Sequence, residues 1–164
     1  MAMKEGMAVE ARCNEEGYRG AWVEGIVRSI KGELFQINFK KIVKANGKSQ
    51  SLVEVKRCIR AHGESSVEVS RSDVRPIPPH RQLPFHSLHG VAVEAWETDC
   101  WWPGFIVKQV TCDGRQLWLV SFPHTHILTA YPLSQLRPAQ EWRDGNWTLA
   151  PPVCFLKLSI YLHV

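Results

Sequence analysis

No apolar run in this chain reaches the ~18 residues that a membrane-spanning helix needs. The nearest, Cys154 to Val164, is short and is broken by Lys157 and His163. Met1 to Val9 holds no apolar stretch of signal-peptide length. Cysteine is scarce: Cys13, Cys58, Cys100, Cys112 and Cys154 are odd in number, and no two stand at C-x-x-C spacing. Neither a disulfide framework nor a zinc site is expected, and the thiols read as reduced, in a nuclear or cytosolic setting. His124 and His126 alternate, and His86 and His89 are three apart. No Cys and His cluster supplies the about four ligands that zinc takes, so no metal is expected. There is no Gly-x-Ser-x-Gly, no P-loop and no dinucleotide-binding fingerprint. No stretch keeps a helical period over three turns. An enzyme, a cofactor, a small-molecule substrate and a membrane partner are therefore not expected.

What is present is aromatic and repetitive. Seven tryptophans in 164 residues suit small cores or an aromatic binding surface. The formal net charge of +4 is compatible with a chromatin or nucleic-acid partner and does not demonstrate one. Met7-Ala8-Val9-Glu10-Ala11 returns as Val91-Ala92-Val93-Glu94-Ala95. Trp22-Val23-Glu24-Gly25-Ile26-Val27 returns as Trp102-Pro103-Gly104-Phe105-Ile106-Val107, with Trp101 one step upstream. Phe35-Gln36-Ile37-Asn38-Phe39 returns near Leu117 to Phe122, and Val74-Arg75-Pro76 returns as Leu136-Arg137-Pro138. Two copies of one unit follow from this order.

Each copy reads as short strands. Phe35, Ile37 and Phe39 alternate, as do Trp118, Val120 and Phe122, which is the period of a half-buried strand. Lys31-Gly32 and Asp113-Gly114 mark turns. Four or five such strands bury little as a flat sheet and usually curl into a small barrel. The expected fold class is all-β, with two small β-barrels in tandem. Module one is placed at 6–79, a stiff Pro-rich linker at 80–88, module two with a C-terminal flank at 89–147, and an apolar tail of unknown role at 148–164.

A unit that opens Gly-x-x-Val-Glu-Ala, continues through Gly20-Ala21-Trp22-Val23-Glu24-Gly25 or Asp99-Cys100-Trp101-Trp102-Pro103-Gly104, and closes on Leu136-Arg137-Pro138 resembles the plant Agenet domain. That family belongs to the Tudor-like Royal superfamily. The resemblance covers roughly Gly6 to Trp147 and implies SH3-like barrels, a nuclear location and binding to histone H3 tails at a methylated lysine. Lysine nine is the residue read by some tandem members. A methylated ammonium keeps its charge, sheds hydration and favours aromatic faces, at roughly 0.5–2 kcal/mol per contact. Transferring the Tudor-like cage to module two gives Trp96 at the end of the first strand, Trp102 at the start of the second and Phe122 at the end of the third, with Tyr131 to complete the wall.

Glu97 and Asp99, between Trp96 and Trp102, offer negative charge to a basic peptide. His124 stands where related barrels often carry an acidic residue, which weakens any preference for a lower methylation state. The bland reading of these rings is a packed core, with Trp118 in the barrel interior. Module one lacks the pattern: Arg12 replaces Trp96, Val23 replaces Trp102, and Trp22, the counterpart of Trp101, reads as a core ring. Its acidic residues Glu15, Glu16 and Glu24 either face an unmodified basic tail or are simply solvated. The rival reading is nucleic-acid binding through Lys40, Lys41, Lys44, Lys48, Lys56, Arg57, Arg60 and Arg71, and a third is a scaffold that ignores methylation.

Overall fold

A computed structural model describes residues 2–14, 18–39, 66–83, 88–123 and 125–152. Every regular element in them is a strand or a three-residue 3-10 turn. The first module is built from β1 (Ala8–Arg12), β2 (Trp22–Lys31), β3 (Leu34–Phe39), β4 (Ser66–Ser70) and β5 (Val74–Pro76). The second is built from β6 (Ala92–Glu97), β7 (Cys100–Cys112), β8 (Arg115–Phe122), β9 (Ile127–Tyr131) and β10 (Leu136–Pro138). A hairpin of β11 (Gln140–Arg143) and β12 (Asn146–Leu149) follows.

The repeat in the sequence becomes a repeat in pairing. The first module runs β5-β1-β2-β3-β4, and the second runs β10-β6-β7-β8-β9. The Gly6 N–H donates to the Val27 carbonyl at 2.8 Å, and the Gly90 N–H donates to the Ile106 carbonyl at 2.8 Å. Both glycines hold a positive φ, 78° and 77°, which an L side chain resists at this entry into the first strand. β2 carries a register shift between Val27 and Ser29, and β7 carries one between Ile106 and Lys108. Such bulges bend a long strand, so β2 and β7 each serve two stretches of sheet. His89 Nδ1 meets the Val107 carbonyl at the second of these bulges.

Each sheet wraps its own core. Val9, Ala11, Val27, Phe35, Ile37 and Val74 form the first, with Val69 of β4 against it, so all five strands contribute. Leu83, Val93, Ala95, Ile106, Val120, Phe122, Tyr131 and Leu136 form the second. Leu83 lies in the stretch read as a linker, yet it is buried.

The all-β expectation holds, while the closed barrel is corrected. Among the described residues no ladder joins β4 to β5 or β9 to β10. A 3-10 turn links each pair, Arg71–Asp73 and Leu133–Gln135. The following strand has only three residues and ends in proline, which donates nothing to a ladder.

The chain divides into two compact units. One is Met1–Pro79 with Glu97–Trp101 and Trp142–Asn146; the other is His80–Trp96 with Trp102–Glu141 and Trp147–Val164. Among the described residues no helix is long and apolar enough to cross a membrane.

Candidate functional site

In the second module, β7 and β8 place the expected rings. Trp102 is half-buried and packs against the core cluster that contains Phe122 and Tyr131. Gly104 and Ile106 follow it at spacing two, so all three project to the core side of β7. Phe122 is 7% exposed and Tyr131 4% exposed. Their centroids lie 6.0 Å apart at 81°, the edge-to-face arrangement that aromatic quadrupoles favour. Trp118, directly opposite Tyr131 in register, is half-buried against the same cluster, as the core reading expected.

Trp96 follows Ala95, the last residue of β6 in this cluster. Val93 and Ala95 point into the core, so alternation sends Glu94 and Trp96 to the other side of β6. Trp96 is half-buried. Trp102, Phe122 and Tyr131 thus share one cluster, and Trp96 is not among its named members. The sequence reading missed Leu83, Leu88, Val91 and Leu133, which also pack there. Ordinary alternation around Val93 offered a signal for Val91, while Leu83 and Leu88 carry no periodic signal.

Thr98 and Asp99 make a two-residue connection between β6 and β7, with φ of 52° and 56°. Glu97 is exposed and Asp99 half-buried at this tip. Glu24 is half-buried on the outer side of β2, directly opposite Glu10. Glu15, Glu16 and His124 lie outside the described residues, as does the basic stretch from Lys40 to Arg60. Of the basic set, Arg71 is described: it pairs with Glu33 at 3.4 Å and stands 5.4 Å from the Phe35 ring centroid.

The first module already supplies a cation to its tryptophan. The Arg75 guanidinium carbon lies 3.8 Å from the Trp22 ring centroid, and that of Arg12 lies 4.7 Å away. Trp22 is buried at 6% exposure, but among arginines and not within the core cluster. Arg75 also grips Glu10: its Nε donates at 2.9 Å and its Nη2 lies 2.7 Å from the same Oε2. Both side chains are buried, so the charges compensate each other out of water. The second module repeats the pair as Arg137 and Glu94, at 2.7 Å through Nε and 2.7 Å through Nη2. Glu10 faces Arg75 and Glu94 faces Arg137 in register, which explains why Val-Glu-Ala and the closing Arg-Pro recur together.

The Cys100 thiol is pushed up to about 12, first by burial, then by Cys13 and Asp99 nearby. It is held as the neutral thiol, which is a poor nucleophile and a poor metal ligand. Among the described residues no group of three His, Cys, Asp or Glu side chains is arranged to hold a metal.

Residues 6–79 match the family model of the Agenet domain. The Arabidopsis thaliana protein AGENET DOMAIN (AGD)-CONTAINING P1 is 29% identical over 148 residues, 89% of this chain and 25% of its own length. DUF724 domain-containing protein 3 of the same plant is 25% identical over 153 residues, 90% of this chain and 20% of its own length. The chain thus spans a quarter or less of these relatives. The crystal structure of Arabidopsis thaliana AGDP1 AGD34 superposes with a TM-score of 0.64 at 20% identity, covering 90% of this chain and 89% of that one. The ADCP1 tandem Agenet domain 3-4 gives 0.64 at 19% identity, covering 90% and 88%. At these identities the structural likeness speaks to fold.

Proposed function

Residues 6–79 of this chain belong to the Agenet family and the whole folds as tandem Agenet domains do, and from that premise we propose that it reads a methylated lysine on a histone H3 tail through the aromatic group of its second module. Tandem Agenet domains resemble chromatin reader modules, which bind and do not catalyse. One observation carries the finer reading: Trp102, half-exposed, packs against the core cluster that holds the edge-to-face Phe122–Tyr131 pair. A half-exposed indole face presents its negative quadrupole to a cation that has lost its hydration. Trp102 supplies the accessible face, over the cluster in which Phe122 and Tyr131 are buried. Trp96, half-buried at the end of β6, is the further ring of this reading.

The first module works as scaffold in this reading. Its indole is already stacked by Arg75 and Arg12, so a ligand cation would meet two resident positive charges there. Methyl-lysine recognition in a nuclear setting, with lysine nine as the first candidate, follows from the same reading.

The test is calorimetric. Histone H3 tail peptides, unmodified and trimethylated at lysine nine, are titrated into wild type, Trp102→Ala and Trp96→Ala at two salt concentrations. Methylation should strengthen binding to wild type, and Trp102→Ala should weaken it about two- to thirtyfold, the value of a cation–π contact. Trp96→Ala should weaken it less. Equal binding of every peptide, together with tight DNA binding that falls steeply with salt, would favour the nucleic-acid reading instead.

A further inference from the structure

Gly104 lies on β7 between Trp102 and Ile106, on the core side with both. Its lack of a side chain is spent on contact. A Cβ placed there would stand 2.6 Å from Val120 Cγ1, 2.8 Å from the Ser121 carbonyl oxygen and 3.1 Å from Phe122 Cδ1. The β8 backbone and the Phe122 ring edge therefore rest directly on the backbone of β7. From that seat Phe122 meets Tyr131 edge-on at 6.0 Å.

The internal repeat supplies a comparison. Gly25 holds the matching place on β2, and a Cβ there would stand 2.5 Å from Ile37 Cγ2 and 2.8 Å from the Asn38 carbonyl oxygen. The backbone squeeze is the same, but the nearest side chain is aliphatic. Phe39, the counterpart of Phe122, is not among the three nearest neighbours. One module thus uses its glycine to pack strands, and the other uses it to pack strands and to seat a ring.

We propose that Gly104 is a positioning residue for the aromatic site: it sets where the Phe122–Tyr131 pair stands in the cluster against which Trp102 packs, and so tunes affinity for a methylated ammonium. This rests on the reading of the second module given above. A methyl group at 104 meets Val120 Cγ1 and the Ser121 carbonyl oxygen first, so Val120 and the β8 backbone have to shift, and the Phe122 ring edge at 3.1 Å has to give as well. The same methyl group at 25 disturbs the first module alone.

The experiment compares Gly104→Ala with Gly25→Ala in the full chain. Thermal melting reads packing, a titration with trimethyl-lysine H3 peptide reads affinity, and the Phe122–Tyr131 ring-to-ring nuclear Overhauser effects read the seat itself. Both variants should lose melting temperature. Gly104→Ala alone should alter the ring-to-ring signals and weaken peptide binding about tenfold, on the order of one aromatic contact. Should Gly104→Ala not fold, Gly104→Ala/Val120→Ala removes the closest side-chain clash and keeps the approach to Phe122. Unchanged ring-to-ring signals overturn the inference whatever the peptide does. Wild-type affinity in a folded Gly104→Ala protein, with Trp102→Ala weakened as expected, overturns it and leaves the methyl-lysine reading standing. If wild type itself ignores methylation, that reading fails together with the affinity role assigned to Gly104.

Discussion

Thr98 and Asp99 hold φ of 52° and 56° in a two-residue hairpin connection, so both occupy the left-handed region. Two such residues in succession make the turn whose twist matches the flanking strands, and Asn-Gly or Asp-Gly is its usual sequence. Thr98 is the wrong residue for it. Its branched Cβ crowds the following carbonyl, at about 1–2 kcal/mol for an L-residue in this region. Asparagine visits the region readily, so Thr98→Asn should recover most of that, about 1–2 kcal/mol. For a chain of this length 1 kcal/mol moves the melting temperature by about 2–4 °C, so a rise of about 2–8 °C is expected. Thr98→Val keeps the branch, loses only the hydroxyl and should give no gain. Thr98→Gly relieves the crowding but adds about 0.5–1 kcal/mol of unfolded-state freedom, so it should fall between the two. Differential scanning calorimetry of the four proteins decides. A Thr98→Asn protein no more stable than wild type, or a Thr98→Val protein equally stabilised, would refute strain as the cause.

Other consequences follow from the packed charges and thiols. Arg75→Ala leaves Glu10 buried without its guanidinium and strips the stack from Trp22; urea denaturation should show a loss of about 3–5 kcal/mol. Arg137→Ala should cost less, because the Arg137 side chain is 17% exposed and water can reach the site. The Cys100 thiol is raised from an ordinary 9.0 to about 12. The native state therefore holds its proton more tightly than the unfolded chain. That contribution to stability is fully present below pH 9 and is lost as pH climbs toward 12, visible as a fall in melting temperature over that window. Brief alkylation at pH 8 should label exposed Cys112 and spare buried Cys100 until denaturant is added, as peptide mass spectrometry can follow.

Much of the strand skeleton is written locally. Phe35, Ile37 and Phe39 alternate along β3, and two of them are fully buried. The recurrence of Val-Glu-Ala and Arg-Pro anticipated two copies of one topology. The Glu10–Arg75 pair behind that recurrence spans 65 residues, so no local pattern announces it. Trp22 read as a core ring and is buried, and the two guanidiniums stacked on it were not foreseen for the same reason. Barrel closure was not legible, because it hinges on Arg71–Asp73 and Leu133–Gln135, three-residue turns without periodicity. Leu83 was hidden by its proline-rich surroundings, though its own apolar side chain was a hint. The ring set was legible as residue types. The face each ring takes was not: counting from Ala95 sends Trp96 away from the core, while counting from Ile106 sends Trp102 toward it.

The central claim is that a cation settles on the Trp102 face of the second module only when it is methylated. Its most direct measurement is the indole N–H region of a proton–nitrogen correlation spectrum, recorded as trimethyl-lysine peptide and its unmodified twin are added in turn. The Trp102 signal should move with the methylated peptide and stay with the other, while the Trp22 signal, shielded by Arg75, stays throughout. A Trp102 signal that ignores both peptides, or follows both equally, contradicts the account.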